Sequence, residues 1–320
     1  MTENETLRSR LARKPIVVAP GIYDAFTALV AAQAGFNTLY VSGAAIAYTR
    51  LGRPDIGLVS MTEVAETLAL IRDRVPAHLI VDGDTGYGNA LNVVRTIWDF
   101  ERAGASAIQL EDQDFPKRCG HLDGKNLVSA AEMCGKIKAA VDARRSRETL
   151  IIARTDAVAV EGFERAVERA AQYRDAGADM LFVEAPKSHD DLVRVTKSLG
   201  GKLPLMANMV EGGKTPPLPS HELEALGFSL VIFPGGINAR IEELIAALGP
   251  HWELHELHMR REDYGKTTGE WLNRLRKHEG QIRAQWGDQV FVDYERYLDT
   301  CVRAFAAHWS GDVQMKLRRI

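Results

Sequence analysis

The feature that most restricts the fold is a repeat of short, nearly continuous apolar runs, rich in β-branched residues, set between longer stretches of helical period. The runs fall at residues 16–19, 38–42, 79–82, 107–111, 150–154, 180–184, 203–208 and 230–233. A strand with one wet face alternates apolar and polar residues. These runs do not, so they suit a parallel sheet covered on both faces. Eight strand–helix units within about 250 residues predict a (β/α)8 TIM barrel of the α/β class. The competing arrangement is a doubly wound open sheet. Its dinucleotide-binding form needs a glycine-rich turn after the first strand, where this chain reads Pro20-Gly21-Ile22-Tyr23-Asp24.

The intervening segments carry helical signals. Ser129 followed by Glu132 has capping-box spacing, and Met133, Ile137, Ala140 and Val141 then lie on one face. Phe163, Val167, Ala170 and Ala171 repeat the pattern. After Gly249 the strand rhythm stops. The expected division is therefore a catalytic barrel over residues 1–250 and a charged, aromatic, helical extension over 251–320. That extension is too poor in strands to close a domain alone, so its aromatic residues are expected to pack on the barrel or on another subunit.

A formal charge of −3 and a pI near 6.3 leave no basic footprint for nucleic acid. No stretch has the about 18 to 20 consecutive apolar residues that crossing a bilayer takes, and residues 1–13 are polar and charged. The three cysteines, Cys119, Cys134 and Cys301, are too widely spaced for a disulfide framework and form no CxxC pair, which fits a reducing cytoplasm.

In a barrel of this kind, reactive groups belong at the carboxyl ends of the strands. Six consecutive runs end in polar residues: Tyr40-Val41-Ser42-Gly43, Asp82-Gly83-Asp84, Glu111-Asp112, Arg154-Thr155-Asp156, Glu184, and Asn208 with Glu211 just beyond. Asp82, Asp84 and Glu111 come from adjacent strands, and three carboxylates converging without a cation would drive one another's pKa upward. A divalent cation resolves that conflict. Oxygen ligands without a neighbouring His or Cys pair favour Mg2+, with Mn2+ the alternative. Arg154 offers a planar donor fork for a carboxylate or oxyanion, with a salt bridge to Asp156 or Glu184 as its structural alternative. Asn208 suits a second carboxylate, and Ser42 with the N–H groups of Gly43 and Ala44 suits a small anion cradle.

Lys117-Arg118-Cys119-Gly120-His121 places a thiol between basic side chains in a polar loop. A structural cysteine prefers an apolar interior, whereas a working thiol needs cationic neighbours and partial access.

Together these segments resemble the isocitrate lyase and phosphoenolpyruvate mutase superfamily. The similarity runs in order through Tyr40-Val41-Ser42-Gly43, Gly52-Arg53-Pro54-Asp55-Ile56-Gly57, Asp82-Gly83-Asp84-Thr85-Gly86-Tyr87-Gly88, Glu111-Asp112-Gln113, the cysteine motif, Arg154-Thr155-Asp156 and Ala207-Asn208-Met209-Val210-Glu211, over roughly residues 10–250. The resemblance implies a Mg2+-dependent barrel, Asp55 supporting the metal ligands from behind, and a final helix exchanged between subunits of a homotetramer built as a dimer of dimers. Members with the cysteine motif are typically carbon–carbon bond lyases. The motif continues here as Leu122-Asp123-Gly124-Lys125, which together with Asn208-Met209-Val210-Glu211-Gly212-Gly213-Lys214 looks more like 2,3-dimethylmalate lyases than 2-methylisocitrate lyases.

The expected reaction is retro-aldol cleavage of a substituted malate or 2-methylisocitrate-type 2-hydroxy acid to pyruvate, or another 2-oxo acid, plus a carboxylic acid. Tyr40 or a rim carboxylate removes the hydroxyl proton, and Cys119 protonates the departing carbon while Lys117 and His121 stabilise the thiolate. Gly120, Glu184 and Asn208 line the substrate site, and residues 113–125 form a lid that keeps water from the reactive intermediate. The alternatives within the same scaffold are oxaloacetate decarboxylation or hydrolysis and phosphonopyruvate-type carbon–phosphorus chemistry.

Overall fold

The structure is a computed structural model that describes residues 5–120, 124–210, 213–234, 252–259, 261–306 and 313–319. The chain divides into two compact units, residues 1–239 and 240–320.

In the first unit eight parallel strands close into a barrel in sequence order: β1 (Val17–Ile22), β2 (Thr38–Val41), β3 (His78–Asp82), β4 (Ala107–Glu111), β5 (Leu150–Thr155), β6 (Met180–Val183), β7 (Leu205–Asn208) and β8 (Leu230–Phe233), with β8 pairing back onto β1. This is the (β/α)8 fold that the apolar runs predict, and the open sheet is excluded by closure.

Period-two alternation divides the buried residues into two sets. Val17, Ala19, Tyr40, Ile80, Ala107, Leu150, Ile152, Met180, Phe182, Met206, Leu230 and Ile232 fill the barrel interior. Their neighbours in sequence, such as Val41, Val81, Ile108 and Ile151, pack outward against the helices. The short helix Leu7–Leu11 adds Leu7 and Leu11 to the interior set, so the polar amino-terminal segment contributes two apolar anchors to the barrel core.

Local signals explain the helix starts. Ser60 and Glu63 make a reciprocal capping box before helix Met61–Arg74, and Asn89 and Asn92 do so before Ala90–Arg102. Ser129 caps helix Ala130–Ala143 by accepting from the Glu132 N–H at 3.1 Å. Met133, Ile137 and Ala140 on that helix are buried, as the periodicity predicts.

The second unit departs from the helical expectation. Helices Arg261–Lys277, Glu279–Trp286 and Asp288–Ala306 are present, but so are two strands, β9 (Trp252–Met259) and β10 (Val313–Arg319), paired antiparallel. The β9 sequence, Trp-Glu-Leu-His-Glu-Leu-His-Met, mixes charged and apolar residues irregularly, which hides a strand. Leu272, Phe291 and Leu298 are buried, whereas Trp271 and Trp286 stay exposed in the single chain.

Candidate active site

Strand parity decides which polar residues reach the mouth of the barrel. Continuing the interior series by two residues gives Ser42 after Tyr40, Asp82 after Ile80, Glu111 after Ala107 and Gln109, Arg154 after Ile152, Glu184 after Phe182 and Asn208 after Met206. Each is buried, and together they form one polar layer above the apolar core. Sheet register then sets the pairs: Asp82 is the partner of Gln109, and Glu111 that of Arg154.

Asp82 and Asp84 stand side by side. A Cβ added at Gly43 would lie 3.2 Å from Asp82 Oδ2 and 3.4 Å from Asp84 Oδ1. The turn between them is tight. Gly83 sits where a Cβ would come within 2.6 Å of the Gln109 carbonyl oxygen, and Asp84 takes a left-handed φ of 48°. Aspartate is among the side chains that tolerate that region, and such strain gathers at functional sites. Asp82 Oδ1 accepts from the Asp84 N–H (3.2 Å) and from Gln109 Nε2 (3.2 Å), and Gln109 Oε1 accepts from the Tyr40 hydroxyl (3.2 Å).

The cysteine segment comes to this rim. Lys117 Nζ donates to Asp55 (2.8 Å) and lies 2.6 Å from Asp84 Oδ1, while the Cys119 N–H donates to the Asp55 carbonyl (3.1 Å). Cys119 itself is half-buried. Gly120 lies so close to the rim that a Cβ there would meet Arg154 Nη2 at 2.4 Å and Glu184 Cγ at 2.6 Å. His121, Leu122 and Asp123, like Glu211 and Gly212, lie outside the described residues.

Arg154 has the ion pairs that were its structural alternative. Its Nε and Nη2 donate to Asp156 (2.9 and 3.1 Å), Nη1 is 3.2 Å from Glu111 Oε2, and Nε is 3.6 Å from Glu184 Oε2. Asn208 Nδ2 donates to both oxygens of Glu184 (3.3 and 3.2 Å). Ser42 Oγ accepts from the Ala45 N–H (3.3 Å) and so caps helix Gly43–Ile46. Gly43 and Ala44 form its first turn, whose N–H groups have no acceptor within the helix.

Burial governs the electrostatics. It pushes the Glu111 carboxyl well above its ordinary value, with Arg154 opposing and Asp156 adding to the rise. Burial raises Asp84 to about 7, against the pull of Lys117 and with help from Asp82 and Asp55. The Tyr40 phenol is also driven far up by burial, and then by Asp82. Burial would lower Lys117, but Asp84, Glu111, Asp55 and Asp82 together hold it firmly as an ammonium ion.

Among the described residues no group of three or more His, Cys, Asp or Glu side chains forms a preformed metal cage. Mg2+ does not require one, since it keeps several waters and binds through one or two carboxylates. The residues present fit such an ion. Asp82 and Asp84 share one side of Gly43, and Glu111 Oε1 and Asn208 Oδ1 are buried without a hydrogen-bond partner, as polar atoms awaiting a ligand would be.

Sequence reasoning missed Gln109, Lys125 and Tyr48. Gln109 is a polar residue inside a buried strand, which was the available signal. Lys125 Nζ is buried and donates to Asp156 Oδ1 (2.9 Å). Tyr48, in the π-helical turn Ala47–Leu51, has its phenol pushed up by burial and by the nearby Cys119 and Asp55.

Comparison with known proteins agrees with this geometry. The family model described as phosphoenolpyruvate phosphomutase matches residues 7–241. A second, described as mycolic acid cyclopropane synthetase, matches residues 219–315, which include most of the second unit. The chain is 46% identical over 228 residues to 2,3-dimethylmalate lyase of Eubacterium barkeri, covering 71% of this chain and 78% of that one. It is 50% identical over 228 residues to 2-methylisocitrate lyase of Aeropyrum pernix, covering 71% and 72%. Among solved structures, a 2,3-dimethylmalate lyase matches with a TM-score of 0.69 at 35% identity over 87% of this chain and 84% of that one. A phosphonopyruvate hydrolase in complex with oxalate and Mg2+ matches with a TM-score of 0.65 at 30% identity over 97% of this chain and 100% of that one. With a closed eight-stranded barrel, a polar layer at its mouth and relatives at this level of identity, the chain belongs to the phosphoenolpyruvate mutase/isocitrate lyase superfamily, as an enzyme of its lyase type.

Proposed function

We propose that the enzyme cleaves a substituted malate or 2-methylisocitrate-type 2-hydroxy acid in the retro-aldol sense, giving pyruvate or another 2-oxo acid and a carboxylic acid. The observation that carries this reading is that the cysteine segment reaches the rim on both sides of a half-buried thiol: Lys117 pairs with Asp84, and Gly120 packs against Arg154 and Glu184.

Asp82, Asp84 and Glu111 would hold Mg2+, with Asp55 supporting them through Lys117. When bound, the ion would lower the pKa of the substrate hydroxyl, supplying Lewis-acid chemistry at the oxygen that becomes the ketone. The protein's own groups do the rest. Tyr40, held protonated by burial, would turn its one hydroxyl proton from Gln109 Oε1 toward the reacting oxygen, and a rim carboxylate accepts the substrate hydroxyl proton. As the carbon–carbon bond breaks, its electron pair passes to the departing carboxylate fragment. Cys119 Sγ gives its proton to that carbon, and the thiolate left behind sits near Lys117, whose charge does not change. His121 is assigned a second share in stabilising that thiolate. Ser42, Gly43, Ala44 and Arg154 orient the substrate carboxylates, Glu184 and Asn208 line the substrate site beside them, and Gly120 lets the chain approach closely.

The wide spacing of the cysteines supports a reducing, cytoplasmic setting. Superfamily likeness supports a homotetrameric state, which light scattering would test. No helix among the described residues is long and apolar enough to cross a membrane.

The test is direct. Purified protein is incubated with 2,3-dimethylmalate, 2-methylisocitrate, isocitrate and oxaloacetate, with Mg2+ and with EDTA, and products are followed by NMR. A 2-oxo acid released from one of the first three only with Mg2+ supports the lyase reading. Oxalate or carbon dioxide from oxaloacetate as the sole activity overturns it.

A further inference from the structure

Lys125 has no part in the chemistry above, yet its ammonium group is among the most enclosed charges in the protein. Its side chain is 1% exposed, and among the described residues Nζ contacts Asp156 Oδ1 at 2.9 Å and the carbonyl oxygen of Gly120. A lysine in a polar loop is ordinarily solvated, and burying one is costly unless it is paired. Asp156 is itself fully buried and also receives Nε and Nη2 of Arg154. A single carboxylate therefore joins Lys125, on the loop after β4, to Arg154, on the barrel rim.

The loop has other attachments, and on the amino-terminal side of the thiol Lys117 pairs with Asp55 and Asp84 while the Cys119 N–H donates to the Asp55 carbonyl (3.1 Å), so the Lys125 tie holds the side that follows it. Its base is closed by the Gln113–Leu127 bridge and by the Asp114 N–H donating to the Asn126 carbonyl (2.8 Å). Its near side is held by Gln113, which donates to the Arg118 carbonyl (2.7 Å) and accepts from the Arg118 N–H (2.9 Å). Gly120 follows Cys119 directly, and among the described residues Lys125 is what draws its carbonyl inward. We infer that Lys125 is a positioning residue: by pinning the Gly120 carbonyl to the Asp156–Arg154 pair it holds the Cys119–Gly120 turn down on the rim and fixes the thiol relative to the substrate. The inference deepens the lyase reading and rests on it for its kinetic consequence, but not for its structural one.

The structural consequence is read without substrate. Iodoacetamide alkylation of Cys119 is followed by mass spectrometry of the peptide that contains it, which separates it from Cys134 and Cys301. Lys125→Met keeps the length of the side chain and removes its charge. Cys119 in this variant is expected to alkylate about tenfold faster than in wild type, because the turn opens more often. On whichever substrate proves active, kcat is expected to fall about 100-fold with KM little changed, as small misplacement of a reacting group does. Asp156→Asn weakens the same tie from the other side and should accelerate alkylation in the same direction; if Lys125→Met does not give folded protein by circular dichroism, this variant carries the test. Alkylation at the wild-type rate in a folded variant overturns the inference. Faster alkylation in an enzyme that cleaves none of the 2-hydroxy acids upholds the tie and removes the lyase reading instead.

Discussion

Glu111 and Asp112 are consecutive residues at the end of β4 whose carboxylates lie on opposite sides of the barrel wall. Glu111 faces the mouth, with Arg154 Nη1 at 3.2 Å and, among the described residues, no hydrogen bond to either oxygen. Asp112 faces the helices and is saturated, accepting from Thr155 Oγ1 (2.7 Å), the Asp156 N–H (2.9 Å) and the Tyr173 hydroxyl (2.7 Å), with Arg169 at 3.4 Å. One acid is available to a ligand and the other is part of the scaffold.

That difference separates activity from stability. Glu111→Gln replaces a carboxyl that burial already pushes well above its ordinary range, and Arg154 keeps Asp156 and Glu184 as partners, so the folded state should be little changed while turnover collapses. Asp112→Ala leaves several buried donors unpaired and should cost about 1–3 kcal/mol in urea unfolding, with residual activity in the folded fraction. Equal loss of stability in both variants would contradict the assignment.

The Lys117–Asp84 pair predicts a pH response. Folding raises the Asp84 carboxyl to about 7, from about 4 in an unfolded chain, so between those values the folded state holds the extra proton. Its contribution is therefore full below pH 4 and is lost as pH rises through 7. In EDTA the melting temperature should decline across that interval more than in Mg2+, since an ion bound to ionised carboxylates stabilises the folded state increasingly toward neutral pH. Lys117→Met leaves Asp55 and Asp84 without their cation and should cost about 3–5 kcal/mol.

Tyr40 tests the chain that runs from its hydroxyl through Gln109 to Asp82. Tyr40→Phe removes one donor and leaves Gln109 Oε1 unpaired, at a cost of about 1–3 kcal/mol in stability. A donor that acts in the transition state is worth about 100-fold to 10,000-fold in kcat. Because the phenol stays protonated, the ascending limb of the pH–rate profile should keep its position in the variant. Disappearance of that limb would make Tyr40 the base.

The barrel was legible because strands buried on both faces cannot hide their apolar character. The fourth and eighth strands fall where the runs at 107–111 and 230–233 predict, and the others differ at their ends by one to three residues. The rim was legible because polar residues interrupt those runs in phase with the barrel interior. The partners were not. Nothing in a polar loop distinguishes Lys125, which is buried against Asp156, from a solvated lysine, and although Arg154-Thr155-Asp156 offers a salt bridge as one alternative, it does not show that Asp156 is shared between Arg154 and Lys125. Such pairings are set by how loops fold over the rim, over sequence separations that periodicity does not reach. The antiparallel pair of β9 and β10 escaped for a related reason, since its strands lie far apart in sequence and neither alternates cleanly.

Gly120 gives the sharpest test of how closely the cysteine segment must approach. A methyl group there would lie 2.4 Å from Arg154 Nη2 and 2.6 Å from Glu184 Cγ, both inside contact distance. The two side chains are buried and tied to Asp156 and Asn208, so neither has slack to withdraw. Gly120→Ala should therefore lift the Cys119–Gly120 turn while leaving the barrel intact. The melting temperature should change little, because the displaced segment lies at the rim and not in the core. Turnover should fall about 100-fold, since the proton donor moves relative to the carbon it serves. Cys119→Ser, which keeps the turn in place and replaces only the donor, should lose as much turnover with Gly120 still seated. A Gly120→Ala enzyme that retained wild-type kcat would show that catalysis does not need this close approach.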